Sequence, residues 1–502
     1  MHKLKKLESS FNKLNVSNKD SNSTNAIITK TDVITGNHQS SNKQELDETS
    51  LNINHKNCSY CGKPFTEELW CKKCDPFRMI EGWTSRNNDL DKFIKDTIYD
   101  ARNEKNEYKV KFLEWVPFDK FKDVKQIGIG GFAKVFSATW IDGNADYYKQ
   151  DDGSWKKKEP DTINVALKRL NGSQNMSTEY LNELKIQWDY YKSTADIGLL
   201  KFYGMTKDPE TEEFMMILQF ADKGNLRSVL SHNFNNILWK DKICYLDWLA
   251  YGLKSLHELG YFHKDFHSGN ILQVGHKSYI SDFGLSGSSN KQKSDDKVCG
   301  VLPYIAPEVL NGEPYSLSSD IYSFGVIMTE LSSGKPPFHK RKHDTTLALE
   351  ICNGLRPEFG KGTPEIYKKL AYKCMNANSN QRPTASELYD IIDFWDGFIR
   401  KISQEKEIFG YKDEEIRAMF EEANKEIPNI STSYEKNPDA IYTSRLFTFN
   451  NLTKPINSSL ITSYLDDEKN NKDCQDSKLF DLEVSSSLQL KDDNSNEDDV
   501  NN

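Results

Sequence analysis

The apolar positions of this chain change period several times, and each change marks an element. Residues 124–140 and 163–170 alternate apolar and polar side chains, with Val135, Phe136, Val165, Ala166 and Leu167 prominent, which predicts strands buried on one face. Met215-Met216-Ile217 is a shorter apolar run, also read as a strand. From Ile243 through Leu246, Leu249, Ala250, Leu253 and Leu256 the spacing becomes helical, and a strongly apolar helix begins at Ser319-Asp320-Ile321-Tyr322-Ser323-Phe324-Gly325. Phe77, Ile80, Trp83, Leu90, Phe93, Ile94 and Ile98 recur at mostly helical intervals, so 77–117 is expected to be a helical connector packed on its neighbours. A Gly/Asp/Lys-rich stretch, 141–162, is expected to lengthen a loop between two strands.

Elsewhere periodicity fades. Residues 1–55 are rich in Asn, Ser, Lys and Asp with few aromatics and read as a disordered leader. Residues 399–425 read as a poorly bounded helical extension, and 426–502 as an acidic, mostly disordered tail. Composition agrees with sizeable disorder: hydrophobic residues are 37% and the mean hydropathy is −0.72. The net charge is −9, of which residues 451–502 carry −7 (12 Asp/Glu against 5 Lys), leaving −2 for everything before them. Acidity is thus a property of the tail, and no domain advertises nucleic-acid binding by charge. No apolar run reaches the roughly 18 residues of a membrane span, and Met1-His2-Lys3-Leu4-Lys5-Lys6 leads into polar sequence, unlike a signal peptide.

The nine cysteines are an odd number, four clustered and five scattered, which favours a reducing, intracellular compartment, cytoplasmic or nuclear, with one metal site. Cys58-x₂-Cys61-x₉-Cys71-x₂-Cys74 has two Cys-x₂-Cys turns able to set four thiolates tetrahedrally around a structural Zn²⁺, with Gly62 suited to a tight knuckle. A zinc ribbon or knuckle is therefore expected over 56–76, with a pair of disulfides as the weaker reading in a reducing setting.

Three motifs follow one another further on: His263-Lys264-Asp265-Phe266-His267-Ser268-Gly269-Asn270, Asp282-Phe283-Gly284 and Ala306-Pro307-Glu308. Upstream stand Ile127-Gly128-Ile129-Gly130-Gly131-Phe132-Ala133-Lys134-Val135, a glycine loop whose last glycine is replaced by Ala133, and Val165-Ala166-Leu167-Lys168. Each is weak alone, since a Gly-rich hairpin is commonly just a turn and a strand-end lysine is commonly solvated. In this order and spacing they resemble the eukaryotic protein kinases over about 118–398. The resemblance implies an α+β, bilobal protein kinase fold: a small sheet lobe and a larger helical lobe with the site between them, here preceded by the zinc ribbon and flanked by the disordered tails.

It also implies roles. Asp265 accepts the substrate hydroxyl, Asn270 and Asp282 hold Mg²⁺, and Lys168 binds the α/β-phosphates of ATP. Ile127, Gly128, Gly130, Gly131, Val135, Ala166 and Leu272 fall to the nucleotide site, as do Leu218, the Gln219 carbonyl and the Ala221 amide at the hinge between lobes. Glu179 and Glu183 lie one turn apart on one face of 178–192 and both could aim Lys168. Sequence distance favours Glu183, because eleven residues from Lys168 scarcely allow a strand end, a loop and a first helical turn. Glu308 is expected to pair with Arg382, and Asp320 to accept backbone amides of the catalytic loop.

Three positions depart from the pattern. Lys264 replaces the arginine that usually precedes the catalytic aspartate, His267 the lysine common in serine/threonine kinases, and Val301 the threonine that usually contacts that lysine. The arginine that tyrosine kinases carry at Gly269 is also missing. The chain looks like the tyrosine-kinase-like branch, and its Trp70-Cys71-x-x-Cys74 upstream of a kinase resembles zinc-ribbon-plus-kinase chains of certain fungi. The implied function is ATP-dependent phosphorylation of protein serine or threonine in signalling, with ATP, protein substrates and an upstream kinase as partners. The alternatives are a pseudokinase scaffold or a zinc-ribbon adaptor without turnover.

Overall fold

The structure is a computed structural model that describes residues 83–103, 111–130, 133–144, 147–149, 155–157, 161–193, 200–288, 298–400, 407–408, 411–449 and 452–470. The expected leader 1–55 and zinc ribbon 56–76 lie outside the described residues, as do Gly131 and residues 471–502. No described helix is long and apolar enough to cross a membrane.

The small lobe is a six-stranded sheet in the order β1-β7-β8-β6-β3-β2: β1 (Glu114–Trp115), β2 (Phe121–Ile129), β3 (Ala133–Trp140), β6 (Ile163–Leu170), β7 (Phe202–Lys207) and β8 (Phe214–Gln219). Alternation in β3 and β6 sends Ala138, Trp140, Val165 and Leu167 to one face, where they bury with Val116, Phe121, Met215 and Ile217. The 141–162 stretch is not simply a loop, because its described parts pair as the hairpin β4 (Tyr147–Lys149) and β5 (Trp155–Lys157).

The connector also differs from expectation in its second half. Helix α1 (Asn88–Asn103) buries Leu90, Ile94 and Ile98, four apart on one stripe. The chain then turns into β1, which adds to β7 in parallel. That pairing requires Gly204, since a Cβ there would fall 2.0 Å from the Glu114 carbonyl oxygen. Buried Thr97 accepts the Leu113 amide at 3.0 Å and ties the two halves. Helical periodicity could not reveal a two-residue strand whose partner lies ninety residues away.

Helix α2 (Thr178–Ser193) closes the sheet's inner face, and the rest of the helical lobe follows: α3 (Leu226–Asn233), α4 (Trp239–Glu258), α5 (Pro307–Leu310), α6 (Leu317–Ser333), α7 (Thr345–Cys352), α8 (Glu365–Cys374) and α9 (Ala385–Ile399). Helix α6 is buried on nearly every side, its apolar residues interrupted by buried Ser319, Asp320, Ser323, Thr329 and Glu330. Short pairs carry the catalytic loops between these helices: β9 (Tyr261–Phe262) with β12 (Gly287–Ser288), and the hairpin β10 (Ile271–Val274) with β11 (Lys277–Ile280). The strand β13 (Val298–Gly300) lies in the later half of the segment that runs from Asp282 to Glu308.

The largest departure from the sequence reading lies after 399. A small hairpin, β14 (Glu407–Ile408) with β15 (Tyr411–Lys412), leads into α10 (Asp413–Asn424), whose Phe420 ring lies 5.7 Å from Trp239 and 5.9 Å from Trp395. Asn424 accepts the Trp239 amide at 2.8 Å, satisfying one of the donors that the first turn of α4 leaves open. The expected mostly disordered tail is instead laid along the large lobe from 426 to 449 and from 452 to 470, burying Ile427, Ile430, Ala440 and Ile461. Strand β16 (Arg445–Phe447) pairs with β13, and α11 (Ser459–Asn470) sits against α8, where the Tyr464 ring lies 4.8 Å from that of Tyr372 at a 40° tilt. The anchoring apolar residues are too widely spaced to show any period, so composition outvoted them.

Candidate active site

Lys168 leaves the end of β6 on the face toward α2, and its ammonium meets two carboxylates: Glu183 at 2.6 Å and Asp282 at 2.8 Å. Glu179, one turn earlier on α2, is exposed. Burial alone would neutralise Lys168, but Asp282 and Glu183 outweigh it and push its pKa up, so the side chain stays a cation. Asp282 responds in the opposite direction: the Lys168 ammonium beside it holds its carboxyl below the usual range. Its side chain remains half open to the cleft, at 47% exposure. Phe283, next in the chain, is buried between Tyr190 of α2 and His263, each ring 5.3 Å away. This edge contact fixes α2, and hence Glu183, against the catalytic loop.

The catalytic loop is held from below by Asp320 of α6, which accepts the amides of His263 at 2.8 Å and Lys264 at 3.1 Å and faces His257 Nε2 at 3.0 Å. A carboxylate in so apolar a helix is tolerated because these donors surround it. Burial pushes the His263 pKa down. The neutral ring donates from Nε2 to the Ser281 carbonyl at 3.0 Å, which leaves Nδ1 to accept the Asp265 amide at 3.3 Å. Lys264 and Asp282 both have φ of 67°, and they are two of the six positive-φ residues other than glycine among those described. Such strain persists only where surrounding contacts impose it. The ammonium of Lys264 lies over the rings of Phe262 and Tyr315, at 5.2 and 5.5 Å.

Asp265 is buried. Asn270 Nδ2 donates to its backbone carbonyl at 3.0 Å and to Oδ2 at 3.2 Å, and His267 Nε2 stands 3.6 Å from the same oxygen. Burial would raise this carboxyl, but the His267 imidazole beside it and a serine hydroxyl described below bring it down to about 2. His267 is therefore part of the acceptor's surroundings, a role that its replacement of a lysine did not announce. Gly269 fits closely, because a Cβ would lie 2.8 Å from the His267 ring.

The residues expected on the nucleotide side fall on the sheet and on the stretch that leaves it for the large lobe. Gly128 and Gly130 lie at the end of β2, where the Gly130 amide donates to the Ala133 carbonyl at 2.7 Å, and Ile127 is exposed. Val135 lies opposite Lys168 in the sheet, and Ala166 opposite Leu218. Gln219 closes β8, Ala221 follows it, and Leu272 bridges to Asn225 just beyond the hinge. The donor set fits Mg²⁺: Lys168 takes Asp282 Oδ1 and leaves Oδ2, and Asn270 spends its amide nitrogen on Asp265 and keeps its oxygen. Mg²⁺ commonly takes only one or two protein oxygens and draws the rest from phosphates and water. Among the described residues no group of three or more His, Cys, Asp or Glu is placed to hold a metal. The cysteines at 58, 61, 71 and 74 lie outside them.

Two further features were not legible. Ser444, from the tail, donates its hydroxyl to Asp265 Oδ2. Arg227 of α3 reaches Ser268 Oγ at 3.1 Å and the Tyr442 carbonyl at 3.1 Å, and stands 3.8 Å from Glu330, which is buried within α6. Glu330 in turn accepts from Tyr304 at 2.6 Å and Ser268 at 2.9 Å. A lone serine in a polar stretch carries no signal of this kind.

A sheet lobe, a helical lobe and a Lys–Glu–Asp cluster facing a buried aspartate on a loop define a protein kinase domain. A profile of the protein tyrosine and serine/threonine kinase family matches residues 121–392, and the chain belongs to that family. It is 29% identical over 277 residues to a putative serine/threonine-protein kinase/receptor of Acanthamoeba polyphaga mimivirus, covering 54% of this chain and 16% of the relative. It is 30% identical over 247 residues to a probable serine/threonine-protein kinase of Dictyostelium discoideum, covering 47% and 14%. A cytokinesis protein of Aspergillus terreus is 29% identical over 208 residues, covering 41% and 15%. The chain thus spans less than a fifth of the length of these relatives.

Proposed function

We propose that this chain is an active ATP- and Mg²⁺-dependent kinase of the tyrosine-kinase-like branch that phosphorylates protein serine or threonine in an intracellular, cytoplasmic setting, under an upstream kinase. The observation that carries the reading is Lys168 held between Glu183 and Asp282, beside an aspartate already gripping a hydroxyl. Mg²⁺ held by Asp282 and Asn270 would neutralise charge on the β- and γ-phosphates. Lys168 orients the α/β-phosphates, with Glu183 keeping its ammonium aimed into the cleft. Gly128, Gly130 and Gly131 let backbone amides approach the phosphates, and Gln219 and Ala221 offer main-chain groups to adenine, with Leu218, Val135, Ala166 and Leu272 around the ring. Asp265 orients the incoming hydroxyl. Any carboxylate is far too weak a base to ionise serine beforehand, so Asp265 takes the proton as the new bond forms.

Serine or threonine is favoured over tyrosine for two reasons. The names of the relatives point that way. The close fit of Gly269 under the His267 ring also leaves no room for the arginine of tyrosine kinases. The spacing of Cys58, Cys61, Cys71 and Cys74 supports a structural Zn²⁺ module ahead of the kinase domain. Purified protein given radiolabelled ATP and Mg²⁺ is expected to label an added generic serine/threonine substrate, and Asp282→Asn to do so at least ~10²-fold more slowly. Equal labelling by the two proteins overturns the reading.

A further inference from the structure

We propose that Ser444 is this kinase's own phosphoacceptor, presented to Asp265 in cis by residues 441–447, and that its phosphorylation frees the site for other substrates. The proposal rests on the reading of the chain as an active kinase. Ser444 Oγ donates to Asp265 Oδ2, the oxygen that also receives Asn270 Nδ2. This is where a substrate hydroxyl has to be for transfer, and Ser444 comes to it from 179 residues away in sequence.

The placement follows from register. Strand β16 pairs antiparallel with β13, matching Gly300 with Arg445, Cys299 with Leu446 and Val298 with Phe447. Gly300 lies flush against the acceptor, since a Cβ on it would be 3.4 Å from Asp265 Oδ1. The residue preceding Arg445 therefore falls over the carboxylate. Capture of an extended segment on a free strand edge is a general mode of peptide recognition, and here the edge belongs to the later half of the Asp282–Glu308 segment.

Both flanks are clamped. On one side Arg227 holds the Tyr442 carbonyl at 3.1 Å and lies 4.8 Å over its ring, Tyr442 donates its hydroxyl to the Pro337 carbonyl at 2.8 Å, and His343 Nδ1 donates to the Ile441 carbonyl at 2.9 Å. On the other, the Arg445 guanidinium donates to the His343 carbonyl. A serine that merely solvates a loop needs none of these. The neighbouring hydroxyls of Thr443 and Thr448 belong to exposed residues, so the clamp singles out Ser444.

The step balances without a further reactant. Ser444 Oγ attacks the γ-phosphorus of ATP, the bond from that phosphorus to the β,γ-bridging oxygen breaks, ADP leaves, and the hydroxyl proton passes to Asp265 Oδ2. Once Asp265 has given that proton up to solvent, the product carries up to two negative charges beside a carboxylate and has lost the hydrogen it donated. Repulsion then expels the segment from the cleft, and a peptide from another protein can take its place along β13.

The test uses the full-length protein, purified after phosphatase treatment and incubated with MgATP. Intact mass and peptide mapping are expected to find one phosphate per chain at Ser444, formed at a rate per molecule that is unchanged over a hundredfold range of protein concentration. Pre-incubation with MgATP is expected to raise the subsequent rate on an added serine peptide about tenfold or more, through a fall in KM, and Ser444→Ala to abolish that rise. Phosphate absent from Ser444 in protein that still labels the added peptide overturns the proposal and leaves the kinase reading intact. Phosphate confined to Thr443 or Thr448, or a rate proportional to concentration, overturns it equally. Failure to label either Ser444 or the added peptide would sink the kinase reading and this proposal together.

Discussion

Asp265 shows how far a residue's role depends on what surrounds it. Its carboxylate has three neighbours, Asn270, His267 and Ser444, gathered from the same loop and from the far tail. Replacing it by asparagine keeps the shape and most of the hydrogen bonding but removes the group proposed to accept the proton. Asp265→Asn is expected to lower kcat by ~10²–10⁴-fold while nucleotide affinity stays within a few fold, checked by steady-state kinetics beside calorimetric titration with ATP. Unchanged turnover would take Asp265 out of the mechanism. At this scale the motif positions were legible because phosphoryl transfer needs particular residue types at fixed spacing. His267 and Arg227 were not, because their roles depend on neighbours brought in by other elements.

Among the elements, the end of the Asp282–Glu308 segment is fastened by Arg382, whose guanidinium donates to both oxygens of Glu308 at 2.7 Å with both groups buried. Removing one partner leaves a buried charge unmatched, so Arg382→Met is expected to cost ~3–5 kcal/mol in unfolding free energy, measured by urea denaturation. A loss below about 1 kcal/mol, the scale of an exposed pair, would show that Glu308 finds another donor. Helix α4 offers the contrary case. Lys242 is fully buried over the rings of Phe234 and Trp239, at 4.0 and 4.8 Å, with no hydrogen-bond partner for its ammonium among the described residues.

Burial brings the Lys242 pKa from 10.5 down to about 7. Between these two values the unfolded chain binds a proton that the folded chain does not, so stability rises with pH, by up to about 1.4 kcal/mol per unit from this group. Below about 7 both states are protonated and the penalty is complete. Lys242→Met is therefore expected to raise Tm by several degrees at pH 7, and by much less at pH 10, in paired thermal melts. A variant that melts lower at pH 7 would mean that the two rings hold the cation better than burial disfavours it. Strands β3 and β6 and helix α4 were readable from period alone, whereas β1 and the β4–β5 hairpin were not, because two- and three-residue strands have no period to detect.

For the whole molecule, the zinc module proposed at Cys58, Cys61, Cys71 and Cys74 carries its own expected outcome. One zinc per chain is expected by elemental analysis of reduced protein, lost on Cys71→Ser, with the main thermal transition of the kinase domain little changed by chelation. No zinc in a reduced, full-length preparation would refute the module. The kinase class was decided by the sequence itself, because the catalytic groups come from loops whose spacing is set by the reaction, and the strands and helices presenting them repeat at regular periods. Where the tail runs was decided only in three dimensions. Ile427, Ile430, Ala440 and Ile461 are spread through polar sequence and acquire meaning only from the pockets already formed on the large lobe. Ser444 reaches Asp265 because β13 offers an open edge in one register. Contacts across such separations depend on the completed surface of the fold, and no local pattern of side chains encodes them.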